Sequence, residues 1–149
     1  MLRTLLSAIL LLIALPATAR AQRPGESPGT LISAEPVSGG PDAMRSWRIA
    51  YWTSDAHGRA IRVTGMIVAP RDHAPSPAPR RVIAWTHGTW GVVEKCAPSL
   101  SPDFWQATPA LAEMIARGYL VVAPDYPGLG SPMAHPYLIG IDTARAVLD

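Results

Sequence analysis

Apolar and polar positions alternate from Met44 onward. Trp47, Ile49 and Tyr51 stand two apart, and after Asp55-Ala56-His57-Gly58 a second alternating run passes through Ile61, Val63, Gly65 and Ile67. A period of two sends successive side chains to opposite faces, so the two runs predict an antiparallel β-hairpin closed by a short turn. The pattern changes at Val82-Ile83-Ala84-Trp85 and again at Tyr119-Leu120-Val121-Val122-Ala123, where apolar residues follow one another without a break. Continuous runs of this length predict strands buried on both faces, as in a parallel sheet covered by helices. Between them, Thr108 fits a helix N-cap with Pro109 at the first helical position. Leu111, Met114 and Ile115 share one face, and Gly118 ends the helix. Strand, helix and strand in that order predict a βαβ unit.

The flanks carry weaker signals. Residues 22–43 are rich in Pro, Gly, Ser and Glu, with few large apolar residues, and read as a poorly ordered leader or linker. Arg71 to Arg80 reads as a surface connection. The last segment places Ile141, Ala144 and Leu148 at helical spacing and reaches Asp149 without a C-cap signal. The expected architecture is α/β: a hairpin leading into a parallel sheet flanked by helices, occupying residues 44–149 as an incomplete domain. Tyr119 to Ala123 is expected at its uncovered apolar edge, which would deny the chain a cooperative urea transition.

The N-terminus alters the reading of charge. Arg3, an apolar stretch from Leu5 to Leu15 and the small residues Ala17, Ala19 and Ala21 predict a secretory signal peptide over residues 1–21, cleaved after Ala21 or, nearly as well, after Ala19. A bilayer span takes roughly twenty apolar residues, so this stretch is too short, and no integral span is expected after cleavage. Without Arg3 and Arg20 the remaining 128 residues carry 11 basic and 11 acidic groups. The basic balance of the whole chain therefore belongs partly to the targeting segment and implies no nucleic-acid partner. Secretion or a periplasmic location makes the single cysteine, Cys96, notable: either it pairs with a thiol elsewhere or it is a buried free thiol.

Gly25-Glu26-Ser27-Pro28-Gly29 matches the G-x-S-x-G nucleophile motif literally. Chemistry rejects it. That motif needs a strand before the serine, a helix after it and a backbone N–H on the following residue, and Pro28 has none. Ser131 fails similarly, because Pro132 follows it. His57 in the turn, His73 in the Pro-rich connection and His135 before Pro136 read as solvated loop residues. No metal-ligand spacing, phosphate-binding loop or cofactor motif is present, and nothing specifies an oligomeric state.

The informative segment is Trp85-Thr86-His87-Gly88-Thr89-Trp90-Gly91, where a strand opens into a glycine-containing loop. Further along come Cys96-Ala97-Pro98-Ser99, Gly118-Tyr119, Asp125-Tyr126-Pro127-Gly128-Leu129-Gly130 and Ala146-Val147-Leu148-Asp149. As a set, over roughly residues 81–149, these segments resemble the secretory lipase family of α/β-hydrolases. The resemblance implies the N-terminal part of a serine hydrolase acting on ester or lipid small molecules. Its Ser, Asp and His would follow Asp149 in the order nucleophile, acid, histidine, leaving this stretch inactive alone. It further implies an oxyanion hole to which the backbone N–H of Asp125 contributes, with Thr89 as rival donor, and His87, Gly88 and Gly128 as supports. Trp90, Phe104 and Trp105 either line an acyl or alcohol pocket or belong to the core. A peptidase or polysaccharide esterase of the same fold, or a noncatalytic exported binding protein, are the alternatives.

Overall fold

The computed structural model describes residues 25–71 and 79–149. The expected signal peptide over residues 1–21, the start of the expected leader and His73 lie outside the described residues. Five strands form one mixed sheet in the order β1-β2-β3-β5-β4. They are β1 (Leu31–Pro36), β2 (Met44–Ser54), β3 (Ala60–Pro70), β4 (Val82–Ala84) and β5 (Leu120–Pro124). The helices are α1 (Phe104–Ala107), α2 (Leu111–Ala116) and α3 (Gly140–Leu148).

The hairpin forms as its alternation predicts, with β2 and β3 antiparallel from Met44 opposite Pro70 to Ser54 opposite Ala60. Asp55 organises the turn. Its Oδ1 accepts the His57 and Arg59 amides, each at 2.9 Å, and its Oδ2 meets Arg59 Nε at 2.6 Å. Met44, Met66, Val68, Val121 and Ala123 pack against Phe104, Leu111 and Ile115 on one face, while Ile49, Tyr51 and Val63 meet Ala146 on the other. Helices thus cover both faces, which is why the central strands alternate less cleanly than a half-solvated sheet would.

Four expectations need correction. Residues 31–36, placed in a poorly ordered leader, form β1, antiparallel to β2. It is an exposed edge strand held by backbone pairing, so it carries no apolar pattern. Tyr119 to Ala123 does not make an uncovered edge: β5 lies between β3, to which it is antiparallel, and β4, to which it is parallel. Among the described strands the edge on that side is β4, and Val82 is 57% exposed. Thr108 does not open the long helix; its amide and hydroxyl both donate to Phe104 O, at 3.1 and 2.8 Å, and close α1. Ala110, at φ 55°, then precedes the shorter α2, which Gly118 ends as expected. In α3 the buried positions are Asp142 and Ala146, not the Ile141, Ala144 and Leu148 face. Polar contacts set this rotation: the Tyr51 hydroxyl donates to Ala146 O at 2.5 Å and the Ala56 amide to Asp142 Oδ1 at 2.5 Å.

Candidate functional site at the ends of two parallel strands

Because β4 and β5 run parallel, the loops leaving them, residues 85–91 and 125–130, emerge at the same end of the sheet. Parallel α/β sheets bind ligands at this end. A cavity of about 280 Å3 lies there, lined by His87, Gly88, Thr89, Trp90 and Gly91 of the first loop and Tyr126 and Leu129 of the second. His135, Tyr137, Leu138 and Thr143 complete the wall.

Tyr126 joins the two loops. Its hydroxyl donates to His87 O at 3.0 Å, and its ring stacks on the His87 imidazole with centroids 4.0 Å apart. Burial raises the phenol above the ordinary tyrosine range, with an opposing hydrogen bond from the Thr86 side chain. Its backbone sits at φ 66°, a conformation costly for a residue with a Cβ, so the surrounding contacts enforce it. His87 is buried. Its Nδ1 lies 2.6 Å from Gly88 O, an acceptor, which fixes the proton on Nδ1, and its Nε2 has no partner among the described residues. A Cβ on Gly88 would meet nothing within 4 Å, so the space beside it is open. Thr89 Oγ1 lies 3.3 Å from the Tyr137 hydroxyl. A second, open depression of about 590 Å3, mostly apolar, shares Tyr126, Leu138 and Thr143 with the first and runs along Ala144, Val147 and Leu148.

Asp125 behaves differently from the expectation. Its backbone N–H, the expected oxyanion donor, donates to Thr64 O at 2.9 Å and extends the β3–β5 ladder past Pro124. It is therefore spent. The carboxylate is fully buried and accepts the Ser99 amide at 2.8 Å, the Ser99 hydroxyl at 2.5 Å and the Thr64 hydroxyl at 2.7 Å. Burial raises its pKa above the ordinary carboxylate value, against the lowering effect of those hydrogen bonds and of His87. Asp125 thus ties three segments together beneath the cavity and does not line it.

Trp90 lines the cavity, edge-on to His87 with centroids 6.4 Å apart. Phe104 and Trp105 do not. Phe104 is 2% exposed in the core, edge-on to Trp85 and Trp105, and Trp105 covers Gly40. Gly128, at φ 82°, admits the close passage of His135, since a Cβ there would lie 2.4 Å from His135 Cα. His135, read as a solvated loop residue, is half-buried in the cavity wall with Nδ1 2.6 Å from Pro127 O. His57 is exposed in its turn, and Ser27 is exposed, its carbonyl accepting the Thr30 amide. Ser131 is buried, with an Oγ that has no partner among the described residues. Sequence reasoning missed Tyr126, Leu129 and Tyr137. The Tyr-Pro-Gly run after Asp125 held the relevant signal, a turn that turns an aromatic side chain back toward its neighbouring strand. Among the described residues, no group of three or more metal-binding side chains comes together, and no helix is long and apolar enough to cross a membrane.

No protein-family model and no curated protein sequence matches the chain. Solved structures do. The rice cell wall degrading esterase LipA from Xanthomonas oryzae superposes with a TM-score of 0.66 at 24% identity, covering 82% of this chain and 36% of that one. Candida antarctica lipase A in its closed state gives 0.60 at 19% identity, over 82% and 30% of the two chains. A putative hydrolase from Legionella pneumophila gives 0.56 at 25% identity, over 71% and 28%. The chain therefore spans about a third of the length of the proteins it resembles. The five-stranded sheet with its flanking helices is an α/β fold shared with part of these esterases and lipases.

Proposed function

We propose that this chain is the N-terminal portion of an exported serine hydrolase of carboxylic esters, a lipase or esterase, and that it supplies one wall of the active site. The observation that carries the reading is the cavity shared by the His87–Gly91 and Asp125–Gly130 loops at the ends of adjacent parallel strands. The lining is aromatic with a few polar groups, as a small-molecule site requires. The fold shared with LipA and lipase A supports an ester as substrate, and the Arg3 to Ala21 pattern supports export. Catalysis would follow the acyl-enzyme route: a serine beyond Asp149 attacks the ester carbonyl, and the tetrahedral oxyanion is held by backbone N–H groups, Thr89 among them.

The test is made on the complete product of the gene. A fluorophosphonate probe should label one serine, located by mass spectrometry in a Gly-x-Ser-x-Gly within about forty residues after Asp149, a spacing that fits a helix and one strand of an α/β sheet. The labelled protein should lose hydrolysis of p-nitrophenyl butyrate. A genuine stop codon after Asp149, with no label and no hydrolysis, overturns the proposal in favour of a noncatalytic exported binding protein.

A further inference from the structure

The backbone bonds of β5 fix which of its amides can reach a ligand. The Leu120 amide donates to Arg81 O and Val122 O accepts from the Trp85 amide, so even-numbered residues of β5 present their backbone groups to β4. Odd-numbered residues face β3, as the Asp125 amide does in donating to Thr64 O. Pro124 faces β4 and has no N–H. Tyr126 lies two residues past the end of β5 and is the next residue after Asp125 with an N–H, and there the chain beyond β4 has already passed into the His87 loop. Among the described residues the Tyr126 amide has no acceptor. Unlike Asp125, Tyr126 lines the cavity.

Resting on the ester-hydrolase reading, we infer that the backbone N–H of Tyr126, paired with that of Thr89, is the donor this chain offers to a carbonyl or carboxylate oxygen bound in the cavity. An amide bonded within the sheet would have to break that bond to serve; one left free is already set for the developing charge. The ring stack and the hydroxyl contact to His87 O hold Tyr126 in fixed relation to Thr89, two residues further along. The carboxylate of Asp125 is satisfied on the opposite side by Ser99 and Thr64 and does not compete for the site.

Amide-to-ester substitution separates the two donors. In the complete gene product, replacing Tyr126 with its α-hydroxy acid analogue exchanges the N–H for an ester oxygen and leaves the side chain unchanged. It should lower kcat for p-nitrophenyl butyrate by about a hundred- to a thousand-fold with little change in KM and no shift in the urea midpoint. The same replacement at Asp125 should lower the urea midpoint, by breaking the bond to Thr64 O, and spare kcat. The reverse pattern returns the role to Asp125 and overturns the inference. A second readout needs no nucleophile. In the complete gene product labelled with 15N-tyrosine, with the proposed nucleophilic serine replaced by alanine, titration with butyrate should move the Tyr126 amide proton downfield. A Tyr126 resonance unmoved at saturating butyrate overturns the inference even if the complete protein hydrolyses esters. A shift without any ester hydrolysis keeps the donor and removes the hydrolase reading.

Discussion

Ser99 and Asp125 are joined twice, amide to Oδ1 at 2.8 Å and hydroxyl to Oδ2 at 2.5 Å, across 26 residues of chain. Arg48 of β2 completes the arrangement by donating from Nε and Nη2 to Ser99 O, at 3.1 and 2.7 Å. A carboxylate fully withdrawn from water is tolerable only when its lone pairs are filled, so each donor matters more than it would at the surface. Ser99→Ala removes one donor and should destabilise the chain by about 1–3 kcal/mol, read as a lower urea midpoint.

The same burial sets a pH dependence. The folded-state pKa of Asp125 is raised above its ordinary value of 3.8, so the folded protein takes up a proton before the unfolded chain does. The stabilisation linked to this group is fully present below 3.8 and is lost as pH rises through the raised value. Comparing melting temperatures of the wild type and Asp125→Asn, the difference should move in favour of the wild type on acidification through that window. A difference that stays constant from neutral pH to below 3.8 contradicts the account. Asp55 has the opposite sign. Burial raises its pKa, but the amides of Arg59 and His57 and the Arg59 guanidinium outweigh this and hold it low. Its contribution is present above 3.8 and fades as pH falls through the lowered value.

Two glycines with similar backbone angles should respond differently to substitution. Gly58, at φ 76°, has open space around a built Cβ, whereas a Cβ on Gly130, at φ 69°, would lie 2.3 Å from Thr64 Oγ1. Gly58→Ala should cost about 1–2 kcal/mol, the left-handed penalty alone. Gly130→Ala should cost more than that, since it also pushes Thr64 off Asp125. Equal losses in paired urea titrations would remove the steric part of the argument.

The contact from Tyr51 to Ala146 anchors α3 to the sheet, so Tyr51→Phe should lower stability by about 1 kcal/mol and speed hydrogen exchange in α3. Burial, then the charges of Asp125 and Asp149, push the Tyr51 phenol above the ordinary tyrosine range. Ultraviolet titration should therefore find this tyrosine still protonated at a pH where an exposed one has ionised.

Patterns of period two and unbroken apolar runs were enough to find β2, β3 and β5, because those strands bury side chains; β4 was found from its apolar run too, but the two-sided burial that run predicts is absent, since Val82 and Ala84 are exposed. β1 was illegible for the complementary reason: its residues remain exposed, and what holds it is main-chain pairing, which any residue but proline can offer. The neighbours of β5 were misjudged because strand order is set by contacts between distant segments and leaves no local mark. At the site, the two loops and their common end of the sheet follow from parallel strands. The engagement of the Asp125 amide in the sheet does not, because it depends on which side of β5 that amide faces, and this is fixed only once Thr64 is known to be the partner. Phe104 and Trp105 show the limit of composition, since aromatic residues suit a pocket and a core equally.

The sheet order has a consequence for how the chain acquires its shape. Of the five strands described, β5 comes last in sequence, yet it occupies the place between β3 and β4. Until residue 124 has emerged, β4 has no strand to pair with and the long hairpin presents an open flank where β5 will dock. Assembly must wait for a distant segment to insert between two earlier ones, a topology that favours slow folding and exposes unpaired strands meanwhile.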